Sequence, residues 1–134
     1  MVTFLSEEWA ELCRELFAGL PARPGASARV AHVITGTPQG AVAVGLAVED
    51  GRVVSVATGL AADADTGADL TITTTYADAR RLAVGDLDAS VAVMQGRAKV
   101  AGDVGKLLAL LPLTRTQQYR AALAALHERT TTEI

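Results

Sequence analysis

The amino-acid sequence predicts an α+β fold, with helices covering one face of a five-stranded, mostly antiparallel sheet. Three observations predict it. Strand-like segments cluster in the first half of the chain and helical ones in the second. Residues 41–49 alternate cleanly, with Val42, Val44, Leu46 and Val48 on one face and Ala41, Ala43, Gly45 and Ala47 on the other. Asp50-Gly51 then gives a strong two-residue hairpin signal, because such a turn needs residues that tolerate positive φ.

Each element follows from local chemistry. Ser6 is a good N-cap for a helix from Glu7 to about Leu20, with two carboxylates in its first turn. Trp9, Leu12, Cys13, Leu16 and Leu20 recur at helical spacing along it. Pro21 to Gly25 breaks the chain. Arg29–Thr35, Ala41–Glu49 and Arg52–Thr58 read as an antiparallel meander, with Thr37-Pro38-Gln39-Gly40 as its first turn. The Ala/Gly face of the middle strand leaves space for a closely packed helix or for a ligand. Residues 59–67 read as a loop carrying Asp63 and Asp65, and Asp69–Thr74 as a fourth strand.

Thr75 can cap a helix from Tyr76 to about Val84, ended by Gly85. Asp86 or Asp88 can cap a short helix through Met94, and Gly96 marks a turn. Arg97–Ala101 is the fifth strand. Asp103 can cap a helix from Val104 to Leu111, which Pro112 ends. Thr114 or Thr116 starts a last helix with Tyr119, Leu123 and Leu126 on one stripe, and the tail from Thr130 is expected to fray.

Composition bounds the function. A chain of 134 residues fits one domain: an N-terminal helix within 1–20, a core over 29–113 and a C-terminal helix within 114–129. A net charge of -3 argues against a nucleic-acid partner, which requires a basic surface. One cysteine excludes an internal disulfide and any Cys-based zinc cluster. The first nine residues hold no Lys or Arg, unlike a secretory signal. Apolar runs reach about eight residues, far below the ~18 that span a bilayer, so the expected location is the cytoplasm. Half the residues are hydrophobic and only 20% charged, so the chain must enclose something apolar.

Catalytic and metal-binding patterns are missing. His32 and His127 have no His or Cys at ligand spacing. Cys13 falls on the apolar helix stripe, where burial silences a thiol. Asp63, Asp65 and Asp69 lack the Glu that completes a calcium loop. No phosphate-loop or G-x-S-x-G motif occurs. A greasy domain without such groups points to binding rather than turnover. No cofactor or metal is expected.

The stretch from Asp69 to Leu111 resembles the sterol carrier protein 2 (SCP2) sterol-binding domain family. The match is carried by Asp69-Leu-Thr-Ile-Thr73, Gly85-Asp-Leu-Asp88, Met94-Gln-Gly-Arg-Ala-Lys-Val-Ala-Gly-Asp103 and the leucine-rich segment from Gly105 to Leu110. Arg97, Ala98 and Ala89 depart from the family's usual Lys, Leu and Pro. The upstream hairpin agrees in order, so the resemblance covers most of Arg29–Leu113.

This resemblance implies an apolar tunnel between sheet and helices that takes fatty acid, fatty acyl-CoA, phospholipid or sterol. It implies transient contact with a membrane or with a lipid-metabolising enzyme, and the alternative role of a substrate-docking module. The residues expected to meet the ligand are Trp9, Leu16, Leu82, Val91, Met94, Gln95, Val104, Leu107, Leu108 and Leu111. Gln95 sits where relatives place a Gln near the tunnel; its amide can bond a headgroup or merely the turn. Leu107, Leu108, Leu110 and Leu111 cannot share one helix side, which suggests a helix buried on two faces or bordering a cavity. The last helix either gates the tunnel or completes the core. A ~16-carbon chain gains roughly 12 kcal/mol on burial, against ~4–15 kcal/mol for association. No charged anchor is then required, and loose specificity is expected. The enzymatic alternative would use His32 with a neighbouring carboxylate.

The C-terminal Thr-Thr-Glu-Ile lacks a peroxisomal S-K-L address.

Overall fold

The computed structural model describes residues 2–61 and 67–131. Asp63 and Asp65 therefore lie outside the described residues. In chain order the elements are β1 (Val2–Thr3), α1 (Glu7–Ala18), β2 (Ala28–Thr37), β3 (Gly40–Glu49), β4 (Arg52–Ala61), β5 (Leu70–Thr75), α2 (Tyr76–Ala83), α3 (Ala89–Met94), β6 (Lys99–Gly102), α4 (Val104–Leu110), a 3-10 turn (Leu111–Arg115), α5 (Gln117–Glu128) and β7 (Thr130–Thr131). The main sheet has the order β4-β3-β2-β5-β6. All its pairs are antiparallel except β2 with β5.

The caps that local chemistry favours are formed. Ser6 Oγ accepts from Trp9 N at 3.2 Å, Thr75 Oγ1 from Asp78 N at 3.2 Å, Asp103 Oδ1 from Lys106 N at 3.2 Å and Thr116 Oγ1 from Tyr119 N at 3.2 Å. Of the two aspartates before α3, Asp88 is the cap, with Oδ1 accepting from Ser90 N at 2.8 Å. Asp50 and Gly51 both take positive φ, 48° and 84°, and close the β3–β4 hairpin as expected.

Three boundaries move. β4 runs on to Ala61 because Leu60 and Ala61 pair with Ala43 and Val42. Pro112 does not stop the chain; it sits in the first turn of the 3-10 segment, where its missing N–H is harmless. The tail does not fray at Thr130: Thr130–Thr131 pairs in parallel with Val2–Thr3, and Val2 N donates to Arg129 O at 2.8 Å.

The sheet presents Val30, His32, Ile34, Val44, Leu46, Val48 and Ile72 to the helices, and the register places His32 between Val44 and Ile72. The Ala/Gly face of β3 was expected to leave room for a helix or ligand. It is instead the face turned away from the helices, since α1, α2, α3, α4 and α5 all meet the other side. Small residues there pack against strand neighbours: a Cβ on Gly45 would stand 3.4 Å from Leu60 Cδ1.

Candidate functional site

Between sheet and helices lies a cavity of about 690 Å³. Its floor is the branched face of β2, β3 and β5, together with Val53 and Val56 of β4. Trp9, Cys13 and Phe17, spaced four apart on α1, form one wall. Ala79, Leu82, Ala92, Val93, Leu107, Leu110, Leu111 and Leu113 form the roof, and Tyr119, Leu123 and Leu126 of α5 close the side. α5 thus does two things: Ala122 and Leu126 are buried in the core, while Tyr119, Leu123 and Leu126 border the void. The exposed wall residues Val84, Gly85, Arg120 and Ala124 mark where the cavity meets solvent.

Several hydrogen-bonding side chains reach this wall. Burial pushes the Cys13 thiol up to about 12 and the Tyr119 hydroxyl up to about 12. His32 is pushed down to about 4 by burial, so its imidazole is neutral at physiological pH. His32 Nε2 bonds Thr74 Oγ1 at 2.8 Å. Its partner is a hydroxyl, not the carboxylate that an enzymatic role was expected to use. Trp9 Nε1 is sealed by protein atoms and is the one buried side-chain polar atom without a partner among the described residues. The charged wall residues among those described are Asp88 and Arg120, and Asp88 also faces Arg115 Nη2 at 3.6 Å.

Two polar ties hold the walls in place. Asp69 accepts from Arg29 N at 2.8 Å and meets Lys106 Nζ at 3.1 Å, joining β2 to α4. The Arg29 bond and the Lys106 ammonium hold the Asp69 carboxyl below its usual range. Asp78 of α2 accepts from Arg97 Nη1 at 3.2 Å, which fixes the turn before β6. Gly102 is required at the end of β6: its φ is +110°, and a Cβ would come 2.5 Å from Asp69 O.

Of the residues expected to meet a ligand, Trp9, Leu82, Leu107 and Leu111 stand on the cavity wall. Leu16, Val91, Met94, Gln95, Val104 and Leu108 do not. Leu16 lies on the flank of the α1 stripe, half-buried against the core. Val91 packs beside Leu87 and Ala92. Gln95 caps α3 and its Oε1 accepts from Arg97 Nε at 3.0 Å on the surface. Met94 is 85% exposed, Leu108 62% and Val104 53%. Thus α4 buries one side only, through Leu107 and Leu110, and borders the cavity rather than being enclosed on two faces.

The strands contribute much of the wall, beyond the helical residues expected to meet a ligand. Val30, His32 and Ile34 share a period-two face, as do Val44, Leu46 and Val48, and that alternation was the available signal. Cys13 and Phe17 follow Trp9 at helical spacing in the same way.

Among known proteins, the profile of the SCP-2 sterol transfer family matches residues 13–115. No curated protein matches the chain in sequence. A conserved hypothetical protein from Thermus thermophilus has a similar structure, with 21% identity over 94% of this chain and 91% of that one, and a TM-score of 0.71. A crystal structure of sterol carrier protein 2 is similar at 19% identity, covering 93% and 98% of the two chains, with a TM-score of 0.69. Palmitated sterol carrier protein 2-like 2 from Aedes aegypti is similar at 18% identity over 84% and 92%, with a TM-score of 0.56. These likenesses agree with the α+β architecture, and the profile match spans the meander, the helices from α2 to α4 and the glycine-marked turn before β6: the chain belongs to the SCP-2 sterol transfer family.

Proposed function

We propose that this protein is a non-enzymatic carrier that encloses a hydrophobic ligand of the lipid class in its central cavity, acting in the cytoplasm. The single observation that carries the reading is an apolar void of about 690 Å³ inside a chain of 134 residues. Such a volume falls in the roughly 300–1,000 Å³ range of small-molecule sites. A 150 Å³ apolar cavity holds benzene, so in proportion this one holds about 25 carbon atoms. That is room for a long acyl chain or a sterol-sized body. Trp9, Leu82, Leu107 and Leu111 are the proposed contacts among the residues singled out in sequence, with Ile72 and the β3 valines opposite them. The wall supports binding over turnover: Cys13 is held as a thiol, and His32 bonds the Thr74 hydroxyl and has no carboxylate partner among the described residues. The palmitated form of the Aedes aegypti protein supports an acyl ligand for that protein, and hence a hydrocarbon one here.

Native mass spectrometry of freshly purified protein tests the reading. A population heavier than the bare chain by the mass of one lipid is expected. Failure to take up any fatty acid, fatty alcohol or sterol on addition would refute it.

A second reading, as a docking module that hands its ligand to a membrane or a lipid-metabolising enzyme, is favoured by the exposed apolar side chains Met94, Val104 and Leu108. Replacing Val104 and Leu108 by Ser is then expected to slow ligand transfer to phospholipid vesicles while leaving ligand affinity unchanged.

A further inference from the structure

His32 is out of place on a sheet face otherwise built from Val, Leu and Ile. It lies deep in the molecule yet keeps accessible area, because its ring borders the void rather than packed protein. Nε2 is held by Thr74 Oγ1 at 2.8 Å. Nδ1 has no hydrogen-bond partner among the described residues, and it is not among the side-chain atoms sealed inside the protein. It therefore faces the cavity.

The proton arrangement follows from Thr74, which is 2% exposed. Its hydroxyl has no acceptor other than His32 Nε2 among the described residues. Were Nε2 to donate, the Thr74 hydroxyl hydrogen would be buried without a partner, which costs about as much as a lost hydrogen bond. Thr74 O–H therefore donates to Nε2, and the imidazole proton sits on Nδ1, directed at the void. The Tyr119 hydroxyl likewise has no protein partner among the described residues and borders the same space.

These are neutral donors. The cation on the wall, Arg120, is exposed and stands at the opening. An ionised headgroup drawn in to His32 would lose its water without gaining a counter-charge, which is strongly unfavourable. A hydroxyl, ketone or ester oxygen needs only one donor to be satisfied.

We propose that His32 is a specificity-determining residue that selects lipids carrying a neutral acceptor oxygen, received by Nδ1–H inside the cavity. This rests on the lipid-binding reading above, and the test separates the two. Delipidated protein is titrated with dodecane, 1-dodecanol and dodecanoate, with binding read from the emission of Trp9, the single tryptophan and a wall residue. His32→Phe keeps a ring but removes the donor, and His32→Asn restores an N–H. The expected result is that His32→Phe lowers the affinity for 1-dodecanol relative to dodecane by about two- to tenfold, and that His32→Asn partly restores the ratio.

If His32→Phe does not fold, the ring nitrogens of ¹⁵N-labelled wild type give the same answer. The His32 Nδ1–H resonance is expected to move with 1-dodecanol and to stay fixed with dodecane. Alcohol and alkane bound with no difference at His32 would overturn this inference alone. So would dodecanoate binding more tightly than 1-dodecanol with an affinity lost in Arg120→Gln, since that places the headgroup at the opening. Uptake of none of the three would overturn the lipid-binding reading itself.

Discussion

Mild acid is expected to destabilise this protein through His32. His32 titrates at about 4 in the folded state against an ordinary value of 6.5, because burial disfavours the imidazolium. The unfolded chain therefore takes up a proton first as the pH falls. Stability is full above about pH 6.5 and drains away as the pH drops from there towards 4, at up to about 1.4 kcal/mol per pH unit. Integrated from pH 7 to pH 5, the loss is about 2 kcal/mol, a sizeable share of a typical domain's stability of about 5–15 kcal/mol. The depressed carboxyls of Asp69 and Asp88 act in a separate window, because their ordinary value is 3.8. Urea unfolding of delipidated protein at pH 7, 6 and 5, followed by Trp9 emission at constant ionic strength, measures the effect. His32→Phe should flatten the dependence whatever it does to absolute stability. An equal slope in wild type and His32→Phe would refute the argument that His32 is buried neutral.

Three further outcomes follow from the same geometry. Ile72→Trp, pointing from the sheet into the void, should reduce lipid uptake at least tenfold without lowering Tm, because the added ring fills space rather than displacing neighbours; a lower Tm with uptake retained would count against an open cavity. Gly102→Ala should destabilise by about 2 kcal/mol or more, since its Cβ would collide with Asp69 O in a left-handed backbone; an unchanged chemical-denaturation midpoint would contradict that reading. Cys13, raised to about 12, should react with a disulfide reagent at pH 8 only as fast as the protein opens; reaction at the rate of a free thiol would show it exposed.

The framework of this fold is readable in sequence because it is set by local chemistry. Ser6, Thr75, Asp88, Asp103 and Thr116 each cap a helix through a side chain bonding an N–H two or three residues on, and such spacing is visible without a structure. Asp50-Gly51 dictates its hairpin in the same way. The cavity is a different matter. Its wall joins residues as far apart as Trp9 and Leu126, and no local rule says which side of the meander the helices choose. Small residues on β3 suggested the wrong side: a void here is framed by large branched side chains held apart, not by small ones. Val104 and Leu108 are apolar and four apart, and Met94 is apolar on another helix, yet no local rule says which apolar side chains of a short helix face inward. Asp69 is legible as the start of a strand, but not as the carboxylate that joins β2 to α4, because its partner Lys106 is distant in the chain. The parallel pairing of β1 with β7 joins two segments far apart in sequence through two residues each, too short for any periodicity to show.

The most direct measurement is an isotope-filtered NOE spectrum of ¹³C-labelled protein saturated with unlabelled 1-dodecanol. Occupation of the cavity predicts cross-peaks from the alkyl chain to the methyl groups of Ile72, Leu82, Leu107 and Leu111, and none to Met94, Val104 or Leu108. Cross-peaks confined to those three outer residues, or no cross-peaks at saturating ligand, would contradict the account.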